Sequence, residues 1–126
     1  MKTTNRPVFL DLRQIRLPVT GWVSILHRVS GVLLVLSIPY AAQLLDRSLR
    51  GPDEFDAVAN LLGSPFAKLV LLLLAWALIH HLFAGIRFLM LDIDVGIQRP
   101  AARRSATLAI AGALVVTLLV AGGMLL

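Results

Sequence analysis

The sequence predicts an all-α integral membrane protein with three transmembrane helices and a cytoplasmic N-terminus. Of its 126 residues, 58% are hydrophobic and 15% are charged, and the mean hydropathy is +0.85. Three apolar stretches, residues 22–45, 66–91 and 105–126, are long enough to cross a bilayer, which takes about 20 apolar residues. We expect residues 1–126 to form one membrane-anchor domain, with residues 1–21 as a cytoplasmic arm.

The arm differs from a cleaved signal peptide because it has several charges and no continuous apolar segment. It also lacks an evident transit peptide, which favours a bacterial cytoplasmic (inner) membrane over a mitochondrial one. The chain has no cysteine, so disulfide bonds and thiolate ligands are excluded from its chemistry.

The distribution of basic residues predicts the orientation. Seven of them flank one side of the predicted spans: Lys2, Arg6, Arg13, Arg16, Arg99, Arg103 and Arg104. The loop on the other side has Arg47 and Arg50 among four acidic residues. The positive-inside rule then places the N-terminus and the second loop in the cytoplasm. Topology explains the net charge of +5, so membrane lipid is an expected partner and nucleic acid is not.

Turn-forming and capping residues mark the predicted helix ends. Pro18 and Thr20 precede the first span, where a threonine can cap the helix. Ser64 followed by Pro65 is typical of a helix start, with a side-chain cap and a proline at the first helical position. The third span has no ionisable residue and several small ones, a composition that favours close helix packing.

Polar residues interrupt the start of the first span. Ser24, His27 and Arg28 recur there at helical spacing. Ionisable side chains inside a membrane are costly and usually face a partner, a cavity or a ligand. These residues therefore form a candidate functional site. Arg28 lies about 9 Å along the helix from its predicted start.

The second span contains the adjacent pair His80 and His81. Neighbouring helix positions diverge by about 100°, so at most one of them faces a given ligand. His81 has the small residues Ala77, Ala84 and Gly85 around it at helical spacing, which would leave room for a flat group. His80 is expected to serve in packing or to support the ligand site without touching the ligand. An interhelical hydrogen bond remains the alternative role for either histidine.

The depths of these residues suit a haem. His81 lies about 15 Å from the predicted cytoplasmic end of its helix. A haem held there would direct its propionates toward His27 and Arg28. A second axial ligand would have to come from a partner helix.

Four sequence blocks resemble one known family. The blocks Arg6–Leu12, Ile15–Thr20, Ser24–Gly31 and His81–Asp92 are similar to those of the cytochrome b membrane-anchor subunit of succinate dehydrogenase, complex II. The resemblance covers essentially the whole chain. It implies a non-dehydrogenase subunit that passes electrons from the iron–sulfur subunit to ubiquinone, in the tricarboxylic acid cycle and the respiratory chain.

The same resemblance implies individual roles. His81 matches an axial ligand of haem b, whose other ligand comes from a second membrane-anchor subunit. Ser24 and Arg28 match quinone-binding residues, and His27 and Arg28 match contacts of the haem propionates. Many relatives have a histidine where this chain has Phe88, so any role of that histidine is not transferred. The remaining partners would be the iron–sulfur subunit, which the arm would contact, and the flavoprotein subunit.

The sequence leaves two alternatives open. The anchor subunit of a fumarate reductase would work in the opposite direction with a low-potential quinone. A haem-free structural membrane protein would use its polar residues only to join helices. Replacing His81 in that protein would disturb packing without removing a chromophore.

Overall fold

The computed structural model describes residues 17–125, which form four α-helices. These are α1 (Val19–Ser48), α2 (Pro52–Gly63), α3 (Pro65–Asp92) and α4 (Arg99–Leu125). Helices α1, α3 and α4 are long and apolar enough to cross a membrane. The predicted all-α class with three candidate spans is therefore confirmed. Most of the N-terminal arm lies outside the described residues.

Each membrane helix extends beyond its apolar stretch, because helical hydrogen bonding continues into the flanking polar residues. Helix α1 begins at Val19, so Thr20 lies inside the helix. Pro18 occupies the capping position, and no side chain caps this end. The predicted threonine cap is therefore wrong. At the start of α3 the prediction is confirmed, since the Ser64 hydroxyl accepts a hydrogen bond from the Ala67 amide at 3.3 Å.

The segment between the first two spans, which is expected to be a loop, contains a helix. Gly51 has a φ of 150°, a conformation that suits glycine, and Pro52 then starts α2. Asp53 and Glu54 occupy the first turn, where carboxylates interact favourably with the helix dipole. Glu54 also accepts two hydrogen bonds from Arg47, at 3.0 and 2.8 Å. This partly exposed ion pair joins α2 to the end of α1.

Small residues let the three long helices approach one another. Helix α3 packs against both α1 and α4, and a core of Val23, Ala84 and Ala106 is fully buried between them. A Cβ atom at Gly112 would lie 2.9 Å from Cε2 of Phe83, so α4 needs a glycine there. Most large apolar side chains are exposed on the outside of the bundle, as expected for surfaces that face lipid or other subunits.

Candidate functional site

The interface between α1 and α3 brings together two of the predicted site residues. The imidazole rings of His27 and His81 stack with their centroids 4.0 Å apart and their planes 11° from parallel. Both side chains are half-buried. The first and second spans thus contribute one histidine each to a single site.

The hydrogen bonds of His81 determine its tautomer. Its Nδ1 atom lies 3.0 Å from the main-chain carbonyl oxygen of His27 and 3.2 Å from the hydroxyl oxygen of Ser30. A carbonyl oxygen can only accept, so Nδ1 carries the proton and donates it. In neutral imidazole the other nitrogen, Nε2, then has a free lone pair. Nε2 makes no hydrogen bond within residues 17–125.

Ser30 supports this arrangement from a fully buried position. Its hydroxyl donates to the same carbonyl oxygen of His27, at 2.9 Å. The lone pairs of the Ser30 oxygen are therefore available to the Nδ1 proton of His81. Ser30 was not singled out from the sequence, where one serine on an apolar helix gives no distinguishing signal.

Gly31 allows the imidazole of His81 to lie close against α1. A Cβ atom at this position would lie 3.0 Å from Cε1 and 3.4 Å from Nδ1 of that ring. The first distance is shorter than ordinary van der Waals contact, and the second is at its lower limit. Glycine at position 31 therefore sets the distance between the two helices at the site.

The small residues around His81 serve mainly in helix packing. Ala77 and Ala84 are fully buried, so they do not border an open space beside the imidazole. A Cβ atom at Gly85 would lie 3.6 Å from Nε2 of His27, which is an ordinary contact. The room for a flat group that these three residues were expected to leave beside the imidazole stays a prediction.

Phe88 completes the side of the site that faces His27. Its ring meets the His27 ring edge-on, with centroids 5.2 Å apart. His27 is therefore held between Phe88 and His81. Position 88 thus contributes an aromatic contact to His27.

Ser24 and Arg28 lie on α1, one turn apart, beside this pair. Ser24 is half-buried and Arg28 is exposed. Neither side chain makes a hydrogen bond to another residue within the part of the chain that the structure describes. Their polar groups are thus available to a ligand or to another subunit.

His80 lies next to His81 on α3 and is the largest fully buried side chain, 1% exposed. Its ring stacks on Trp76 with centroids 5.5 Å apart. Its Nε2 atom is buried without a hydrogen-bond partner. The packing role predicted for His80 agrees with this position, whereas the unpaired nitrogen was not predicted.

Arg87 is a buried charge whose importance the sequence analysis missed. It is only 7% exposed, although it lies within the second span. Its Nε donates to the hydroxyl of Ser105 at 3.1 Å, and its Nη2 donates to the carbonyl oxygen of Ala102 at 3.2 Å. The same cost argument that singled out Arg28 would have identified it.

The sequence also matches known proteins. Residues 2–120 match the family described as the succinate dehydrogenase/fumarate reductase transmembrane subunit. The chain is 37% identical over 103 residues to the succinate dehydrogenase cytochrome b556 subunit of Coxiella burnetii (strain RSA 493 / Nine Mile phase I), covering 81% of this chain and 82% of the relative. It is 32% identical over 115 residues to the subunit of the same name from Paracoccus denitrificans, covering 91% of this chain and 88% of the relative.

These matches confirm the resemblance inferred from the four sequence blocks. They extend over nearly the whole chain and include both histidine-containing helices. The chain belongs to the succinate dehydrogenase/fumarate reductase transmembrane subunit family, as a cytochrome b556 membrane-anchor subunit of succinate dehydrogenase.

Proposed function

We propose that this anchor subunit binds haem b through Nε2 of His81, in a site shared with a second membrane-anchor subunit. The observation that carries the proposal is the 3.0 Å contact between Nδ1 of His81 and the carbonyl oxygen of His27. Histidines that bind metals typically donate their other ring N–H to a carbonyl or carboxylate. This bond fixes the tautomer and makes Nε2 a better donor to iron.

The histidines of this chain fit one axial ligand of a haem iron. Because the rings of His27 and His81 are stacked face to face, they would not both bind one haem iron. The Nε2 atom of His80 is enclosed by protein. The chain has three histidines in all. We therefore assign the opposite axial ligand to the partner anchor subunit.

A bound haem would supply a one-electron redox centre within the membrane. Around it, this chain provides the orientation of the His81 imidazole, through Ser30 and the main chain of α1. We also propose that His27 and the exposed guanidinium of Arg28 contact the haem propionates. These positive and polar groups compensate propionate charge at the edge of the hydrocarbon region.

We further propose that ubiquinone binds beside Ser24 and Arg28. A hydroxyl and a guanidinium can both donate hydrogen bonds to quinone oxygens. Fixed donors of this kind stabilise the negative charge that develops as the quinone is reduced. Arg28 is always charged and so does not supply protons. The two protons that convert quinone to quinol would come from water or from partner residues.

The expected partners are the second anchor subunit, the iron–sulfur subunit and the flavoprotein subunit. Electrons from succinate would leave the flavoprotein subunit, pass through the iron–sulfur subunit and reduce ubiquinone at this site. The names of both relatives favour this direction over that of a fumarate reductase.

The basic residues at the start of α4 and in the N-terminal arm support a cytoplasmic N-terminus, and we propose that the membrane is a bacterial inner membrane. This orientation places Ser24 and Arg28 near the cytoplasmic surface. Ubiquinone would therefore bind on the side where the iron–sulfur subunit is expected.

The reduced-minus-oxidised visible spectrum of the purified complex tests the proposal. The informative pair is His81→Leu and the matched variant His80→Leu, which changes the neighbouring histidine in the same way. We expect His81→Leu to lose or shift the b-type band and His80→Leu to keep it. A native gel shows whether each complex has assembled. An assembled His81→Leu complex with an unchanged band would contradict the proposal.

A further inference from the structure

A groove lies between the C-terminal end of α3 and the N-terminal end of α4. It has a volume of about 530 Å³ and is lined by both polar and apolar side chains. Two arginines line it, Arg87 from α3 and Arg104 from α4. Gln98 is also polar, whereas Met90 and Leu108 are among the apolar lining residues.

Arg87 is a buried cation without a counter-charge in the described chain. Its two hydrogen-bond partners there, the Ser105 hydroxyl and the Ala102 carbonyl, are both neutral. The ion pairs found within residues 17–125 are those of Arg47 and Arg50. They lie beside the C-terminal end of α1, whereas Arg87 lies near the C-terminal end of α3. Burying a charge without compensation is costly. An anion in the groove would remove that cost, and Arg104 adds a second positive charge beside it.

The groove continues into an apolar one. A second cavity, of about 290 Å³, shares Arg87, Ser105 and Leu108 with the first. Its other lining residues are Phe83, Ile86 and Ala109, all apolar. A cationic opening followed by an apolar channel between two membrane helices matches an amphiphile with an anionic head and a hydrocarbon tail.

We propose that this groove binds an anionic phospholipid, with its phosphate at Arg87 and Arg104 and an acyl chain along α3 and α4. The guanidinium group suits the oxygens of a phosphodiester, since it can donate two parallel hydrogen bonds. Basic pockets between transmembrane helices on the cytoplasmic side are known to accept such head groups.

The haem site does not explain the two arginines. Arg87 follows His81 by six residues, which separates their directions around the helix by about 120°. Arg87 contacts α4, whereas His81 contacts α1. The guanidinium carbon of Arg87 also lies 5.3 Å from the ring centroid of Phe88, the side chain that meets His27. The hydrogen bonds of Arg87 nevertheless go to α4 and not to the histidines. The lipid proposal is independent of the haem proposal.

Lipid binding can be measured directly on the purified complex. The complex is stripped of lipid in detergent and titrated with phosphatidylglycerol, and bound lipid is counted by native mass spectrometry. The informative variant is Arg104→Gln. Its matched control is Arg103→Gln, because Arg103 lines a separate cavity with Pro18 and Arg99.

We expect Arg104→Gln to weaken phosphatidylglycerol binding about fivefold, as expected for loss of one cation near a lipid phosphate. Arg103→Gln should change it less than twofold. Arg87→Lys keeps the positive charge but loses the planar guanidinium that can donate two parallel hydrogen bonds. It should also weaken lipid binding while the complex still assembles. Phosphatidylcholine should not bind to the same site.

Three outcomes would overturn the proposal. The first is failure of the stripped wild-type complex to bind phosphatidylglycerol, as when a partner carboxylate already pairs with Arg87. The second is an equal loss of affinity in the two glutamine variants, which would indicate a general surface-charge effect. The third is complete displacement of the lipid by millimolar inorganic phosphate, which would indicate a site for free phosphate.

Discussion

The main-chain carbonyl oxygen of His27 accepts a hydrogen bond from Nδ1 of His81, at 3.0 Å. The backbone of one membrane helix thus orients an imidazole on the next helix. Because the acceptor is a main-chain atom, a side-chain replacement at position 27 does not remove it. The ligand role proposed for His81 therefore depends on how α1 and α3 pack.

Ser30 should influence the redox potential of the haem. Ser30→Ala removes the hydroxyl 3.2 Å from Nδ1 of His81 and leaves the carbonyl acceptor in place. The imidazole then donates less electron density to the iron, so the midpoint potential should rise. A hydrogen bond with a net value of about 1 kcal/mol corresponds to a shift of up to about 40 mV for one electron.

Potentiometric titration of the visible haem band in the purified complex measures this shift. Ser37→Ala is the matched control. The hydroxyl of Ser37 also donates a hydrogen bond to a carbonyl oxygen of α1, that of Leu34, at 2.7 Å, but this bond does not involve His81. Equal potentials in Ser30→Ala, Ser37→Ala and wild type would contradict the role of Ser30.

Gly31→Ala should loosen the contact between α1 and α3. The new Cβ would lie 3.0 Å from Cε1 of His81, and the ring cannot move away without stretching its bond to His27. Overpacking of this kind costs about 1–3 kcal/mol, which outweighs the gain of about 1 kcal/mol from replacing glycine in a helix. We expect less haem per complex and a lower thermal midpoint.

Haem content and thermal unfolding of the purified complex check this prediction. Gly63→Ala is the control, since nothing lies within 4 Å of a Cβ at that position in the described chain. If Gly31→Ala is as stable as Gly63→Ala and retains its haem, the close approach does not matter.

Arg28→Gln should impair quinone reduction more than succinate oxidation. Hydrogen bonds to charged groups are worth about 1.5–3 kcal/mol, so kcat/KM for ubiquinone should fall roughly 10- to 100-fold. Electron transfer from succinate to a dye that accepts electrons at the soluble subunits should not change. Steady-state assays with both acceptors separate these effects, and Arg103→Gln serves as a control. A parallel fall in both activities would point to a general assembly defect.

Gly112→Ala should destabilise the packing of α3 on α4. Its Cβ would lie 2.9 Å from Cε2 of Phe83, so the ring must move, at a cost of about 1–3 kcal/mol. The double variant Gly112→Ala with Phe83→Leu should recover part of the loss, because the smaller side chain removes the clash. Thermal unfolding of the two single variants and the double variant measures this coupling. Additive effects would show that the two positions do not interact.

The sequence predicts the long helices well because hydrophobicity and length determine a membrane span. Signals of α2 are also present in the sequence: a proline follows Gly51, and acidic residues occupy the next turn. The segment is short and partly polar, so its helical form was less evident than that of the spans.

The contacts at the site were harder to predict than its residues. Helical spacing singled out His27 and His81, but their stacking depends on the register between two helices far apart in sequence. The same register determines that Ser30 and Gly31 meet His81. Local sequence patterns do not contain this register. A small residue such as Ala84 also gives the same sequence pattern whether it borders a ligand or packs against another helix.

Rescue of His81→Gly by imidazole tests the central claim most directly. This variant removes the side chain and leaves a space where free imidazole can bind. We predict that the purified complex lacks the wild-type b-type band in its reduced-minus-oxidised spectrum, and that added imidazole restores it. An assembled variant that shows the wild-type band without imidazole would contradict the assignment of His81 as the ligand.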